Sequence, residues 1–283
     1  MTPIGTGISV RDALQSAQTA IAAAGSDTPR LDAELLLAHV LGVSRERLLI
    51  DRDLEVRGAA VRDYQLAVTR RARNHEPVAY IIGRRAFRHV ELAVDRRALI
   101  PRPETELLVE VGLELAAGTR VLDVGTGSGA IALALKQERP DLEVTGSDVS
   151  TDALALAREN AERLGLDVAW RHADLLAGVP DAYDALLSNP PYVADSQRAG
   201  LAPEITRHEP PDALFAGPEG LNVIGTLVAQ AARRPAVRRL AIEVGAGQAA
   251  PVAQMAREAG FDAVRFERDL ARVQRVMIAE RHG

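Results

Sequence analysis

The chain of 283 residues has no cysteine, which excludes disulfides and thiolate-bound metal. Lys136 is its only lysine, so almost all positive charge is carried by arginine, a codon bias rather than a chemical signal. No apolar run approaches the length needed to span a bilayer. The N-terminus also lacks a basic stretch followed by a greasy one. The six histidines, at 39, 75, 89, 172, 208 and 282, are scattered without close ligand pairs, and no metal is expected. These absences lead to the expectation of a soluble cytoplasmic protein with no membrane partner; a monomer is expected. An apolar content of 47% is enough to bury a full core, and the length suggests two domains.

Charge is unevenly spread. Residues 1–98 carry 15 basic and 12 acidic side chains, a net of +3, and the remainder carries 19 and 27, a net of −8. An acidic second half argues against sequence-independent grip on phosphates, so no direct nucleic-acid binding is expected. Arg70, Arg71, Arg73, Arg84, Arg85 and Arg88 form a basic cluster. It reads first as a solvated helix face and hairpin, and second as a docking surface for an acidic partner.

Two motifs carry chemistry. Asn189-Pro190-Pro191-Tyr192 follows a short apolar run, Tyr183 to Ser188. Each proline lacks an N–H and fixes φ, and the residue before it is pushed out of the helical region. The result is a stiff turn that holds one amide side chain and nearby carbonyls where a planar –NH2 group can dock, with Tyr192 as a wall. Alone it could equally be a rigid turn at a sheet edge.

The second motif is a Gly-rich loop. Val121 to Val124 reads as a strand, Gly125-Thr126-Gly127-Ser128-Gly129 as a turn, and Ala130, Ile131, Ala134 and Leu135 as a helix stopped at Pro140. Another strand, Leu142 to Ser147, ends in Asp148 about 20 residues past the loop, where an acid meets ribose hydroxyls. A dinucleotide fingerprint would place a pyrophosphate at the helix N-terminus. Asp123, two residues before Gly125, would repel it but suits the ammonium of a methionine moiety. Asp-x-Gly-x-Gly-x-Gly therefore points to S-adenosyl-L-methionine.

The residues before 84 read as helices. Val10, Leu14, Ala17 and Ile21 share a face, as do Leu31, Leu35, His39 and Val40, and Val61, Tyr64, Val68 and Ala72 line a longer helix. His39 is expected to be a packed core residue rather than a ligand. Val90, Leu92 and Val94 alternate, suggesting a hairpin over 84–98. Beyond residue 99, strands and helices alternate. Ser150 or Thr151 caps a helix ended by Gly165, Val168–Arg171 and Leu240–Val244 are strands, and Gln248–Gly260 is helical. Phe261–Phe266 and Val273–Ala279 are placed to pair antiparallel. The expected fold is α/β: a Rossmann-like, seven-stranded, mostly parallel sheet with an antiparallel last strand, preceded by a small helical domain and a β-hairpin linker. The expected domains are 1–83, 84–98 and 99–283.

With these motifs the chain resembles the PrmC/HemK family. The resemblance runs through Glu76-Pro77-Val78-Ala79-Tyr80-Ile81-Ile82-Gly83, Leu99-Ile100-Pro101-Arg102-Pro103-Glu104-Thr105-Glu106, the glycine loop, Asn189 to Tyr192, and Glu209-Pro210-Pro211-Asp212-Ala213-Leu214 to Gly220-Leu221. It implies a class I methyltransferase domain that acts on the glutamine side-chain amide of class I peptide chain release factors, the expected protein partners. S-adenosyl-L-methionine would be the cofactor and S-adenosyl-L-homocysteine the product. Asp123, Gly125, Thr126, Gly127, Ser128, Gly129, Asp148, Asp174, Leu175 and Asn189 would hold the cofactor. Asn189, Pro190, Pro191 and Tyr192 would hold the substrate, with Asn189, Pro190 and Tyr192 catalytic. Family members often carry an aromatic residue after Asp174, where this chain has Leu175. Asp174 itself could approach the adenine amino group or cap a helix at Leu175. Arg102 reads as structural and Glu209 as shaping a loop over 194–219. Three other readings stay open: an adenine-N6 nucleic-acid methyltransferase that flips its base, a methyltransferase for another glutamine protein, and an NAD-dependent oxidoreductase or inert nucleoside binder.

Overall fold

A computed structural model describes residues 7–51 and 55–281. His282 and residues 1–6, which open the first expected domain, lie outside the described residues. The chain forms two compact units. The first runs to Gly83 and takes in Ala202–His208; the second holds Arg84–Leu201 and the chain from Glu209 onward. The hairpin over 84–98 thus belongs to the second unit.

In the first unit, β1 (Ile8–Ser9) leads into α1 (Val10–Ala23), and the Ser9 side chain accepts from the Asp12 N–H as an N-cap. Val10, Ala13, Ala17 and Ile21, spaced three and four apart, are the buried face of α1. α2 (Pro29–Leu41) starts on proline and stops at left-handed Gly42. α3 (Arg45–Ile50) follows its Ser44 cap, and β2 (Glu55–Val56) pairs antiparallel with β1. α4 (Ala59–Asn74) and α5 (Val78–Ile82) close the core, where the buried Tyr64 hydroxyl donates to the Ala33 carbonyl at 3.1 Å.

The expected face of α2 is wrong. Leu31 and His39 are exposed, and the helix buries Asp32, Ala33, Leu36 and Leu37 instead. Leu35, Leu36, Leu37, Val40 and Leu41 make the helix apolar almost all round, so periodicity cannot choose its inward side. A polar contact marks it: the Asp32 carboxylate accepts from Arg71 Nε at 2.7 Å and from the Ser26 and Thr28 hydroxyls. Two arginines of the basic cluster, Arg70 and Arg71, are likewise spent on acids of this unit. Arg71 also pairs with Glu204, and Arg70 forks onto Glu76 at 2.8 and 2.7 Å.

The second unit begins with the hairpin β3 (Arg84–Phe87) and β4 (Val90–Ala93), turned at Arg88. Arg88 grips Glu138 through Nε at 2.5 Å and Nη2 at 2.9 Å. After a 3-10 turn at Pro103–Thr105 and α6 (Glu106–Leu113) come β5 (Arg120–Val124), α7 (Ala130–Glu138), β6 (Glu143–Asp148), α8 (Thr151–Leu164), β7 (Ala169–His172) and β8 (Ala185–Ser188). α9 (Pro203–His208) belongs to the first unit. α10 (Asn222–Ala232), β9 (Arg239–Glu243), α11 (Ala249–Glu258), β10 (Ala263–Arg268) and β11 (Gln274–Glu280) complete the chain.

The seven-stranded sheet has the order β10-β11-β9-β8-β5-β6-β7, with β11 antiparallel to both neighbours and the inner strands parallel. β8 is buried throughout and β5 at all but its first residue, as strands covered on both faces must be. Strand order reverses at β5, so the crevice beyond the C-terminal ends of β5 and β8 is where a ligand binds in an open α/β sheet. Among the described residues no helix is long and apolar enough to cross a membrane.

Candidate active site

The glycine loop joins β5 to α7 through three left-handed residues, Gly125 (φ 72°), Gly127 (57°) and Gly129 (85°), a backbone that L side chains resist. The loop's amides are mostly used internally. The Gly125 and Thr126 N–H groups both donate to the Ser147 carbonyl at 2.8 Å, the Gly129 N–H to Thr126 O, and the Gly127 N–H to Asp148 Oδ2 at 2.9 Å. Few donors are left to cradle a pyrophosphate.

Asp123 has no exposed surface and lies against the first turn of α7. Its Oδ2 accepts from the Thr126 hydroxyl (2.5 Å) and the Ala132 N–H (3.2 Å), while Oδ1 is buried without a partner among the described residues. Burial pushes this carboxyl up to about 7 against those two donors. A carboxyl group already occupies the position that a helix N-terminus would offer to a phosphate. In this conformation Asp123 and the buried Thr126 hydroxyl shape the loop from below rather than face the crevice. The Ser128 carbonyl and the Ala93 backbone are tied together by the fully buried Asn160 of α8, through Nδ2 at 2.9 and 3.0 Å.

Asp148 ends β6. Its Oδ1 accepts from the Ser150 N–H and its Oδ2 from the Gly127 N–H, both at 2.9 Å, and burial raises its carboxyl above the usual range. Each oxygen keeps acceptor capacity for a hydroxyl. Next to it, Val149 is an exposed large apolar side chain. Asp174 does not cap a helix at Leu175. Residues 174–177 form a turn closed from the Ala177 N–H to the Asp174 carbonyl, with Leu175 at φ 50°. The positive φ at a branched residue, uncommon enough to mark a site, stops the backbone from entering a helix.

At the end of β8 the Asn189 side chain is held at one end only. Its Nδ2 donates to Thr105 Oγ1 at 2.9 Å, and its Oδ1 has no hydrogen bond among the described residues. Thr105 Oγ1 in turn donates to Glu243 Oε2 at 2.7 Å, and the Tyr192 hydroxyl donates to Glu243 Oε1 at 3.1 Å. Glu243, at the end of β9, is 1% exposed. Burial raises its carboxyl, and the Thr105 and Tyr192 hydroxyls oppose that shift. Gln248 Nε2 donates to the Tyr192 carbonyl at 2.9 Å and braces the turn from the other side. Glu209 is buried; it accepts from Arg102 Nη2 at 2.5 Å and from the Ile100 N–H at 3.1 Å. Arg102 and Glu209, read separately from the sequence, are one pair tying the segment before α6 to the loop after β8.

The glycine loop, Asp148 and the Asn-Pro-Pro-Tyr turn therefore all lie at the C-terminal ends of β5, β6 and β8. Sequence reasoning missed Thr105, Glu243, Asn160 and Gln248. Of these only Glu243 left a signal, as an acid closing an otherwise apolar strand.

The model of the PrmC N-terminal domain matches residues 12–83, and that of the methyltransferase small domain matches residues 103–217. A release factor glutamine methyltransferase of Deinococcus radiodurans is 41% identical over 278 residues, spanning 97% of this chain and 99% of its own. Its namesake from Rhodospirillum rubrum is 39% identical over 268 residues, 92% of this chain and 81% of its own. Among solved structures, the hMettl16 catalytic domain bound to an MAT2A 3′UTR hairpin aligns at TM-score 0.55 and 18% identity, covering 79% of this chain and 82% of its own. A methyltransferase from Pyrococcus furiosus aligns at 0.52 and 17%, covering 69% and 90%. At these identities the structural matches establish the fold alone.

Proposed function

The chain belongs to the release factor glutamine methyltransferase family, and from that premise we propose that it methylates the side-chain amide nitrogen of the glutamine in the Gly-Gly-Gln motif of class I peptide chain release factors. One observation carries this reading. Asn189 has its donor end committed to Thr105 and its acceptor end uncommitted, beside a proline carbonyl, at the strand end next to the glycine loop. Such a corner accepts N–H groups and does not donate to them.

The residues present fit S-adenosyl-L-methionine better than a dinucleotide. The loop amides are already engaged, Asp123 sits against the helix N-terminus, and Asp148 retains acceptor capacity for ribose hydroxyls. Gly125 to Gly129, Asp148, Val149 and Leu175 would hold the cofactor, with Leu175 giving apolar contact. When bound, the cofactor supplies a sulfonium methyl as the electrophile. Asn189 Oδ1 and the Pro190 carbonyl each accept one N–H of the target amide. Two such acceptors would favour a more pyramidal nitrogen and aim its lone pair toward the glycine loop. Tyr192 packs on the amide plane. Such orientation can be worth about 7–11 kcal/mol when reacting atoms are held near contact. The N-protonated amide cation that methyl transfer would leave is strongly acidic and sheds its proton to water, so no general base is needed.

The test is methyl transfer to purified release factor by wild type and Asn189→Ala, with duplex DNA as a control acceptor. Asn189→Ala should lose at least about 100-fold in kcat, comparable to removing one preorganised polar group from a transition-state site, while calorimetry shows cofactor binding largely kept. Transfer to DNA but not to release factor, or an undiminished Asn189→Ala, refutes the proposal.

A further inference from the structure

An asparagine amide presents two ends of nearly equal size and opposite polarity, so a rotation of 180° would turn an acceptor into a donor. A donor end facing the target –NH2 would repel it. Something must therefore fix which end of Asn189 points outward. Asn189 cannot do so alone, because the turn restrains its backbone and not its χ2.

The restraint is a chain of three hydrogen bonds with one direction. In its ionised form Glu243 can only accept, and a hydroxyl reaches each of its oxygens. Both hydroxyls that reach it must donate, Thr105 to Oε2 at 2.7 Å and Tyr192 to Oε1 at 3.1 Å. With its single proton spent, Thr105 Oγ1 can only accept from its remaining neighbour, and that neighbour is Asn189 Nδ2 at 2.9 Å. The donor end of Asn189 is thus drawn inward. Thr105 and Glu243 are both almost fully buried, so water does not compete for these groups. Glu104 and Arg275 face Glu243 from neighbouring segments with opposite effect, and Arg275 is itself held by Asp269 at 2.8 Å.

We propose that Glu243, acting through Thr105, is the positioning residue that turns the acceptor end of Asn189 toward the substrate amide. The assignment rests on the reading of Asn189 given above and extends it to two residues that touch neither substrate nor cofactor. Glu243 also fixes the far end of the same turn through Tyr192, so one buried carboxylate sets both walls of the amide pocket.

Thr105→Val keeps the shape and removes the polarity signal, whereas Thr105→Ser restores the hydroxyl. Thr105→Val is expected to lower kcat about 10- to 100-fold, the loss of one oriented buried hydrogen bond, with cofactor affinity by calorimetry unchanged. Thr105→Ser should recover most of that loss. Glu243→Gln makes the chain's direction ambiguous and should also lower kcat without weakening cofactor binding. A readout without substrate is the Asn189 side-chain NH2 resonance, assigned by its disappearance in Asn189→Asp. Its protons should be protected from solvent exchange in wild type and Thr105→Ser, and unprotected in Thr105→Val. Full activity in a folded Thr105→Val, unchanged protection there, or equal losses in the Val and Ser variants would overturn the proposal. Should Thr105→Val fail to fold, Thr105→Ser and Glu243→Gln decide it: Ser as impaired as Gln, or Gln as active as wild type, overturns it. Failure of wild type to methylate release factor would instead remove the proposed function, and the exchange measurement would still judge the orientation.

Discussion

Replacing Asp123 with asparagine should make the cofactor-free protein more stable at alkaline pH. The Asp123 carboxyl is fully buried, and among the described residues no cation pairs with it and one of its oxygens has no hydrogen-bond partner. Burial lifts it from 3.8 to about 7. Between those values the unfolded chain has released this proton while the folded chain keeps it. The folded state then binds more protons, so this group's contribution to stability falls as pH rises. The fall is about 1.4 kcal/mol per pH unit well below the folded value, or roughly 2 kcal/mol between pH 5 and 7, and it levels off above the folded value. Asparagine keeps an acceptor for Thr126 and Ala132 and has no charge to bury. The stability difference between Asp123→Asn and wild type should therefore move in the variant's favour by roughly 2–3 kcal/mol from pH 5 to pH 7.5, on the order of 5–10 °C in Tm. Calorimetric scans of both proteins across that range measure it. Subtracting one from the other cancels Glu243, whose carboxyl burial also raises. A difference that stays flat, or that turns against asparagine as pH rises, would mean Asp123 is ionised and stabilised in the fold, and the reasoning would be wrong.

Two further perturbations test how the site is held. A Cβ at Gly220, where φ is 72°, would lie 2.2 Å from the Tyr192 carbonyl oxygen and 2.9 Å from the Ala194 nitrogen. These are backbone atoms that cannot swing aside, so Gly220→Ala should displace the turn and cut methyl transfer about tenfold or more, leaving cofactor affinity intact. Arg102→Ala and Glu209→Ala should differ because the Glu209 side chain is 1% exposed and that of Arg102 is 31% exposed. Removing the arginine strands a buried carboxylate and should cost about 3–5 kcal/mol. Removing the glutamate leaves an arginine that can reach water and should cost about half as much. The order in urea unfolding is the test, and a reversed order refutes it.

What could be read in advance followed from local rules. β5 and β8 are covered on both faces, so β8 appears as an unbroken apolar run, Ala185–Leu187, and Val121–Val124 of β5 as one broken only by Asp123. α8 carries its own punctuation: Ser150 accepts from the Ala153 N–H and Gly165 closes the end in a left-handed turn. The failures came where pairing across long sequence distance decides the outcome. β1 and β2 are two residues each and lie too far apart for any pattern to join them. The inward face of α2 is chosen by Arg71, 39 residues beyond Asp32. Neither arginine nor aspartate announces that it will be buried, because each is affordable inside only when the other is present.

The site divides along the same line. The glycine loop and the Asn-Pro-Pro-Tyr turn are contiguous, and their chemistry can be inferred from backbone restriction alone. Thr105 and Glu243 are 138 residues apart, and nothing in either neighbourhood names the other. One inference was nonetheless open. β9 is buried from Leu240 onward, and a carboxylate at its last position cannot stay buried without donors. In a parallel sheet whose neighbouring strands end in Asn189 and the glycine loop, the end of β9 opens on the same crevice. An acid there has to collect its donors from that crevice, and hydroxyls are the donors that leave it charged while passing on a direction. A lysine or arginine would have neutralised Glu243 and left the Asn189 amide free to turn either way.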